Sequence, residues 1–279
     1  VYQRKDSDNE TEFEMLKKLE LSEESFLELK SYSENKKIDF LSSAFDVESL
    51  NFLIAMDLKK YKIPSGEITN KPLLREIGSL NKPTILSTGM CSLQEIKDSL
   101  EVLYSSGLSK KNITVLHCNT DYPTEFKDVN LNALHQLKDS LGVKVGYSDH
   151  TLGNVVSTGA VALGATIIEK HFTMDKSQKG PDHSSSLEPE EFETLVNSIR
   201  NISNSMGGME KKPTKSELNN IFYVRKSIVA AKEIKKGDFF SEDNITCMRP
   251  AGGISPMFWD DIIGKKAAKD YLPEEYIQI

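Results

Sequence analysis

Residues 143–150 read VKVGYSDH and residues 165–171 read ATIIEKH. Each begins on small or β-branched apolar residues and stops on a histidine, so each reads as a β-strand with a polar end. Strand side chains alternate between faces. Ser148 therefore shares a face with His150, and Glu169 shares one with His171. Neighbouring strands run roughly 4.8 Å apart, close enough for two such ends to bring both imidazoles to one ion.

The pattern repeats upstream in DFLSSAF (39–45), YKIPSGE (61–67), PTILSTG (83–89) and NITVLHC (112–118). Each stretch opens apolar, closes on small polar or acidic residues, and is followed by a helical pattern. Ser92 with Glu95 three residues later forms a capping box, and Gly107 suits the end of that helix. Asp46 begins an apolar helix through Leu50, Leu53 and Ile54. Pro189 stands where the first position of the last barrel helix belongs, with Gly207 past its end.

Strands alternating with helices predict a parallel sheet. Polar residues at the C-terminal end of every strand are the signature of a (β/α)8 TIM-barrel active face. Only six strand-and-helix units are visible, whereas a closed barrel needs eight. The chain opens at Val1 in a polar stretch, QRKDSDNETEFE, without a strand pattern. The reading is thus a TIM barrel whose first two strands are missing from this chain. A doubly wound open sheet of six strands fits the count but not the polar strand ends.

At 279 residues there is room for a large core and a second small domain. A net charge of −7 and a pI near 5.4 argue against nucleic acid as a partner. No apolar run reaches membrane-spanning length, so no membrane partner is expected. Cys91, Cys118 and Cys247 are scattered, which suits a reducing cytoplasm and no disulfide framework. The barrel is assigned to 1–205. A Gly-, Lys- and Pro-rich linker follows over 206–222, then a small β-rich domain over 223–279. That tail is short for independent stability, so it is expected to pack on the barrel or on a partner subunit.

KIPSGE, ILSTGM, LHC with YPT, GYSDHT, EKHFT, GPDH with SLEP, and the tail RKSIVA…KKGD…RP..GISP…GKK closely resemble the bacterial sialic acid (N-acetylneuraminate) synthase family, legionaminic and pseudaminic acid synthases included. The resemblance covers essentially the whole chain. It implies a barrel followed by a SAF, or antifreeze-like, domain. It implies condensation of phosphoenolpyruvate with the open aldehyde form of N-acetylmannosamine or a related N-acylated aminosugar, giving a nine-carbon 2-keto acid and phosphate. The implied cofactor is a divalent metal, usually Mn2+, with Mg2+ or Co2+ as alternatives. The implied assembly is a domain-swapped homodimer.

Residue by residue, the resemblance makes His150 and His171 the metal ligands and Glu169 a glutamate beside the metal, poised for proton handling or sugar binding. Two histidines are few for a closed structural site, so water and substrate would complete the coordination. Lys62 matches the phosphoenolpyruvate-binding lysine. A lysine within a buried strand is costly unless paired, which agrees with a functional role. Ser65, Ser87 and Ser148 match serines that contact phosphate or carboxylate, and Ser43 stands where relatives often carry Thr. Gly66 and Gly89 would let backbone N–H groups approach an anion. HCNTDYPT departs from the family order, in which Thr follows Cys, so either Asn119 or Thr120 is the ligand contact there. Asp182 matches an aspartate on the sugar hydroxyls. Arg249 matches an arginine that reaches the other subunit's site to hold the N-acyl group, although RPAGGIS replaces the usual RPGNGIS. Trp259 reads as core. Two other readings compete: a different metal-dependent barrel aldolase or 3-deoxy-sugar synthase, and a non-catalytic sugar-binding protein.

Overall fold

The computed structural model describes residues 12–279, and the chain divides into two compact units after Gly207. The first unit opens with α1 (Glu12–Leu19) and α2 (Glu23–Asn35), then α3 (Val47–Ala55). The Asp46 carboxylate accepts the Ser49 N–H at 2.6 Å and starts α3, as its position predicts. The chain then alternates: β1 (Tyr61–Ile63), α4 (Lys71–Leu80), β2 (Thr84–Ser87), α5 (Leu93–Ser105), β3 (Ile113–Cys118), α6 (Ala133–Leu141), β4 (Lys144–Asp149), α7 (Val155–Ala162), β5 (Ile168–Lys170) and α8 (Pro189–Ser205). Ser92 and Glu95 close their capping box at the start of α5. Gly107 and Gly207 both adopt positive φ past their helices, a conformation that glycine takes without steric cost.

All five strands pair in parallel in the order β1-β2-β3-β4-β5, a half-barrel sheet. The sixth expected strand, DFLSSAF, forms only a single bridge, Ser43 to Lys62. Its one ladder partner is β1, and the Asp46 cap turns the backbone into α3 two residues after Ala44.

Every residue of β1 and β2 is buried, as befits strands covered on both faces. Ile96, Leu100 and Leu103 of α5 recur at helical spacing and join Leu73, Leu86, Val115 and Leu134 in one core. Gly146 in β4 meets a specific packing demand. A Cβ there would lie 2.5 Å from Leu116 Cδ2 and 2.6 Å from the Ile167 carbonyl oxygen.

The second unit carries α9 (Leu218–Val224), β6 (Ser227–Ala230), β7 (Ile245–Met248) and α10 (Trp259–Ile262). Helix α9 begins inside the stretch read as a linker. Strands β6 and β7 are antiparallel. Ile228, Phe240, Ile245, Tyr271 and Ile277 form a separate core, and Trp259 packs against it.

Candidate active site

Register decides which side chains share a face. In a parallel ladder, partnered residues point to the same side. Ser43 partners Lys62, Lys62 partners Ile85, Ile85 partners Thr114, Cys118 partners Ser148, and Ser148 partners Glu169. Stepping by two along each strand puts Ser43, Lys62, Ser87, Cys118, Ser148 and Glu169 on one face, at the C-terminal ends.

The sheet is also curved. Four strand spacings would separate β1 from β5 by roughly 19 Å in a flat sheet. Yet Lys62 Nζ of β1 lies 3.0 Å from Glu169 Oε2 and 3.2 Å from Oε1 of β5. The shared face is therefore the concave one. Lys62 is 9% exposed, and Glu169 is 39% exposed. Burial pushes the Glu169 carboxyl up. The Lys62 charge and the hydrogen bonds from Ser148 and Lys62 outweigh it, so the group is held below its ordinary value and is ionised.

His150 is fixed at both ends. Its Nδ1 donates to the Asn119 carbonyl at 2.6 Å, and its own carbonyl accepts the Thr124 N–H at 2.9 Å. A carbonyl only accepts, so Nδ1 carries the proton and the neutral ring presents its lone pair at Nε2. Ser148 Oγ lies 3.3 Å from that nitrogen, but donates to Glu169 Oε1 at 2.7 Å. Burial lowers the His150 pKa, with His171 adding to the effect against the Asn119 hydrogen bond, so the ring is held neutral. A neutral imidazole whose far N–H is tied to a carbonyl is the usual state of a metal-ligating histidine. The His171 ring centroid lies 5.4 Å from that of His150. No group of three or more His, Cys, Asp or Glu that could hold a metal occurs among the described residues. The donor set fits a divalent ion held by two imidazoles with its other positions left to water and substrate.

The other predicted residues divide by place. Ser65 Oγ accepts the Gly89 N–H at 2.9 Å and lies 3.3 Å from Cys118 Sγ. The Gly89 N–H is thus already engaged. The Ser87 hydroxyl and Asn119 Oδ1 are buried without a hydrogen-bond partner. Such atoms favour a ligand that supplies the missing bond. Asn119 Nδ2 donates to the Asp128 carbonyl at 2.8 Å, while the Thr120 methyl abuts Gly89. Asp182 Oδ2 lies 3.7 Å from His171 Nδ1, and the neighbouring His183 Nδ1 is 2.7 Å from Thr173 Oγ1. Arg249 belongs to the second unit, where its Nε donates to the Val224 carbonyl at 2.8 Å.

Two features lie outside the residues predicted from the sequence. The Tyr122 ring stacks 4.0 Å from the His150 ring and 5.2 Å from that of His171. On the opposite face of the sheet, Asp149 and Lys170 form an ion pair of 3.1 Å with side chains 0% and 2% exposed. The signal was present: a lysine and an aspartate alternate with the histidines at the ends of two apolar strands.

The NeuB family matches residues 1–211 and the SAF domain matches residues 225–278. The chain belongs to the NeuB family. It is 51% identical to N,N'-diacetyllegionaminic acid synthase of Campylobacter jejuni over 99% of this chain and 83% of that protein. It is 45% identical to the protein of the same description from Legionella pneumophila, over 95% of this chain and 75% of that one. The crystal structure of N-acetylneuraminic acid synthetase from Leptospira borgpetersenii superposes with a TM-score of 0.70 at 36% identity, over 74% of this chain and 72% of that one. Membership in this family agrees with the half-barrel sheet and the antiparallel C-terminal strands.

Proposed function

We propose that this NeuB-family enzyme is a nonulosonic acid synthase that condenses phosphoenolpyruvate with an N-acylated aminosugar. The carrying observation is the cluster of Lys62, Ser148, Glu169, His150 and His171 on the concave face. A 2,4-diacetamido 6-deoxy sugar is the favoured partner, because both relatives above are diacetyllegionaminic acid synthases.

The reaction forms a bond between C3 of phosphoenolpyruvate and the aldehyde carbon. Water then adds at C2, and phosphate leaves with its bridging oxygen. A divalent metal on His150 and His171, when bound, would polarise the aldehyde oxygen. Lys62 carries three N–H donors, so it can hold Glu169 and still meet the anion. Ser87 and Ser65 offer hydroxyls at adjacent strand ends. Glu169, ionised, can accept a proton from the water that adds at C2. Asn119 Oδ1 is an acceptor for a sugar hydroxyl or amide N–H. By the family resemblance, Arg249 serves a partner subunit's site, so the working form is proposed as a homodimer.

Phosphate release from phosphoenolpyruvate is measured with Mn2+ and a panel of aminosugars, with mass detection of the product. Turnover that is largest with the diacetamido sugar supports the reading. Release with no aminosugar-dependent product, or turnover only with a phosphosugar lacking the N-acyl group, refutes it.

A further inference from the structure

The Asp149–Lys170 pair lies behind the two histidines, on the face that the chemistry does not use. Asp149 and Lys170 are register partners across β4 and β5, and each immediately precedes a histidine. Asp149 Oδ1 accepts from the Thr151 N–H at 2.9 Å and from Thr151 Oγ1 at 2.8 Å. Its Oδ2 accepts from Ser157 Oγ of α7 at 2.5 Å and from Lys170 Nζ at 3.1 Å. Lys170 Nζ also donates to the Thr151 carbonyl. The residues on both sides of His150 are therefore tied to the strand that carries His171. Thr151 and Ser157 are fully buried, so water cannot substitute for these bonds.

A buried ion pair is weak evidence for stability, because desolvation offsets its attraction. What it supplies is a fixed geometry. Without it, the backbone ladder through Asp149 and Lys170 remains, but the turn after β4 loses the side-chain ties that hold it to Lys170 and to α7. We infer that Asp149 and Lys170 are positioning residues that set the His150–His171 separation, and so the affinity for the metal. This rests on the proposed metal role of the two histidines.

The test compares the intact parent protein with an Asp149→Asn/Lys170→Met double variant, which removes both charges at similar volume. Mn2+ binding is titrated by the free-ion electron paramagnetic resonance signal, phosphoenolpyruvate binding by calorimetry without metal, and folding by thermal melts. The inference expects a Mn2+ dissociation constant raised tenfold or more, in the range for altered ligand-supporting contacts. It expects phosphoenolpyruvate affinity within about twofold of the parent, since Lys62 and Ser87 are not tied to this pair. A folded double variant that binds Mn2+ as the parent does overturns it. So does an equal loss for metal and phosphoenolpyruvate, which marks general damage. If the double variant does not fold, Ser157→Ala removes one bond to Asp149 without touching a charge. A threefold or larger weakening of Mn2+ binding then supports the inference, and no change overturns it. A parent that binds no Mn2+ overturns the metal reading itself, and with it this inference.

Discussion

Lys62→Met removes the cation of the concave face while keeping most of the side-chain volume. Its Nζ is the partner of both Glu169 oxygens, at 3.0 and 3.2 Å. A hydrogen bond to a charged group contributes about 1.5–3 kcal/mol net. At about 1.4 kcal/mol per tenfold, its loss raises the KM for phosphoenolpyruvate about 10- to 150-fold. The Glu169 carboxylate left behind repels the anion, which pushes the effect toward the upper end. Breaking a fully buried pair costs about 3–5 kcal/mol of stability. Glu169 is 39% exposed, so solvent screens the abandoned charge and about 1–2 kcal/mol is expected instead. The assay is steady-state phosphate release with each substrate varied in turn, alongside a thermal melt. A KM for phosphoenolpyruvate that rises less than about threefold, or a KM for the sugar that rises equally, refutes the assignment of Lys62 to the anion.

His150→Ala or His171→Ala should abolish condensation and weaken Mn2+ binding; turnover near the parent level with metal still bound would end the ligand assignment. Gly146→Ala should cost about 1–3 kcal/mol by overpacking, because the Ile167 carbonyl that its Cβ meets is held by the Tyr147 N–H at 2.9 Å. An unchanged melting temperature would show that β5 yields freely. Glu169 has a native pKa below its ordinary 4.5, so its stabilisation is fully present above that value and is lost as pH falls through the lower native value. The stability gap between the parent and Glu169→Gln should therefore stay constant near neutral pH and narrow only in acid; narrowing already at neutral pH would assign the gap to another group.

Strand parity made the histidines legible. Ser148 does meet His150, as alternation requires, and the register between β4 and β5 then puts Glu169 on the same face. Helix punctuation was equally local, so Asp46, the Ser92–Glu95 box and Pro189 fell where their chemistry puts them. The Lys62–Glu169 contact was not legible. It depends on the summed twist and coil of five strands, which no short window encodes. The failure of DFLSSAF to form a strand has the same origin. Its composition suits a strand, but a ladder needs a neighbour along its length, and only Ser43 finds one. Asn119 and Thr120 were inseparable by sequence because both are small polar residues in one turn. Their surroundings differ: Asn119 Oδ1 is buried and unsatisfied, and the Thr120 methyl is packed against Gly89.

The two ion pairs that meet at β5, Asp149–Lys170 behind the sheet and Lys62–Glu169 in front of it, differ in how much hydrogen-bond capacity they leave open. Behind the sheet, the Asp149 carboxylate has four donors and Lys170 two acceptors, with both side chains sealed from water. Little capacity remains for a ligand, and none could enter without breaking the network. On the concave side, Glu169 receives only Ser148 and Lys62, His150 keeps its Nε2 lone pair, and the Ser87 hydroxyl has no partner. Unspent polar capacity in a buried place carries a desolvation penalty unless something binds there. Two such atoms, the Ser87 hydroxyl and Asn119 Oδ1, lie at the strand ends that also carry a lysine, an ionised carboxylate and two imidazoles. The sealed pair joins β4 to β5 and the open pair joins β1 to β5, so the alternation of side chains along β5 sets a closed network and an open one back to back on a single strand.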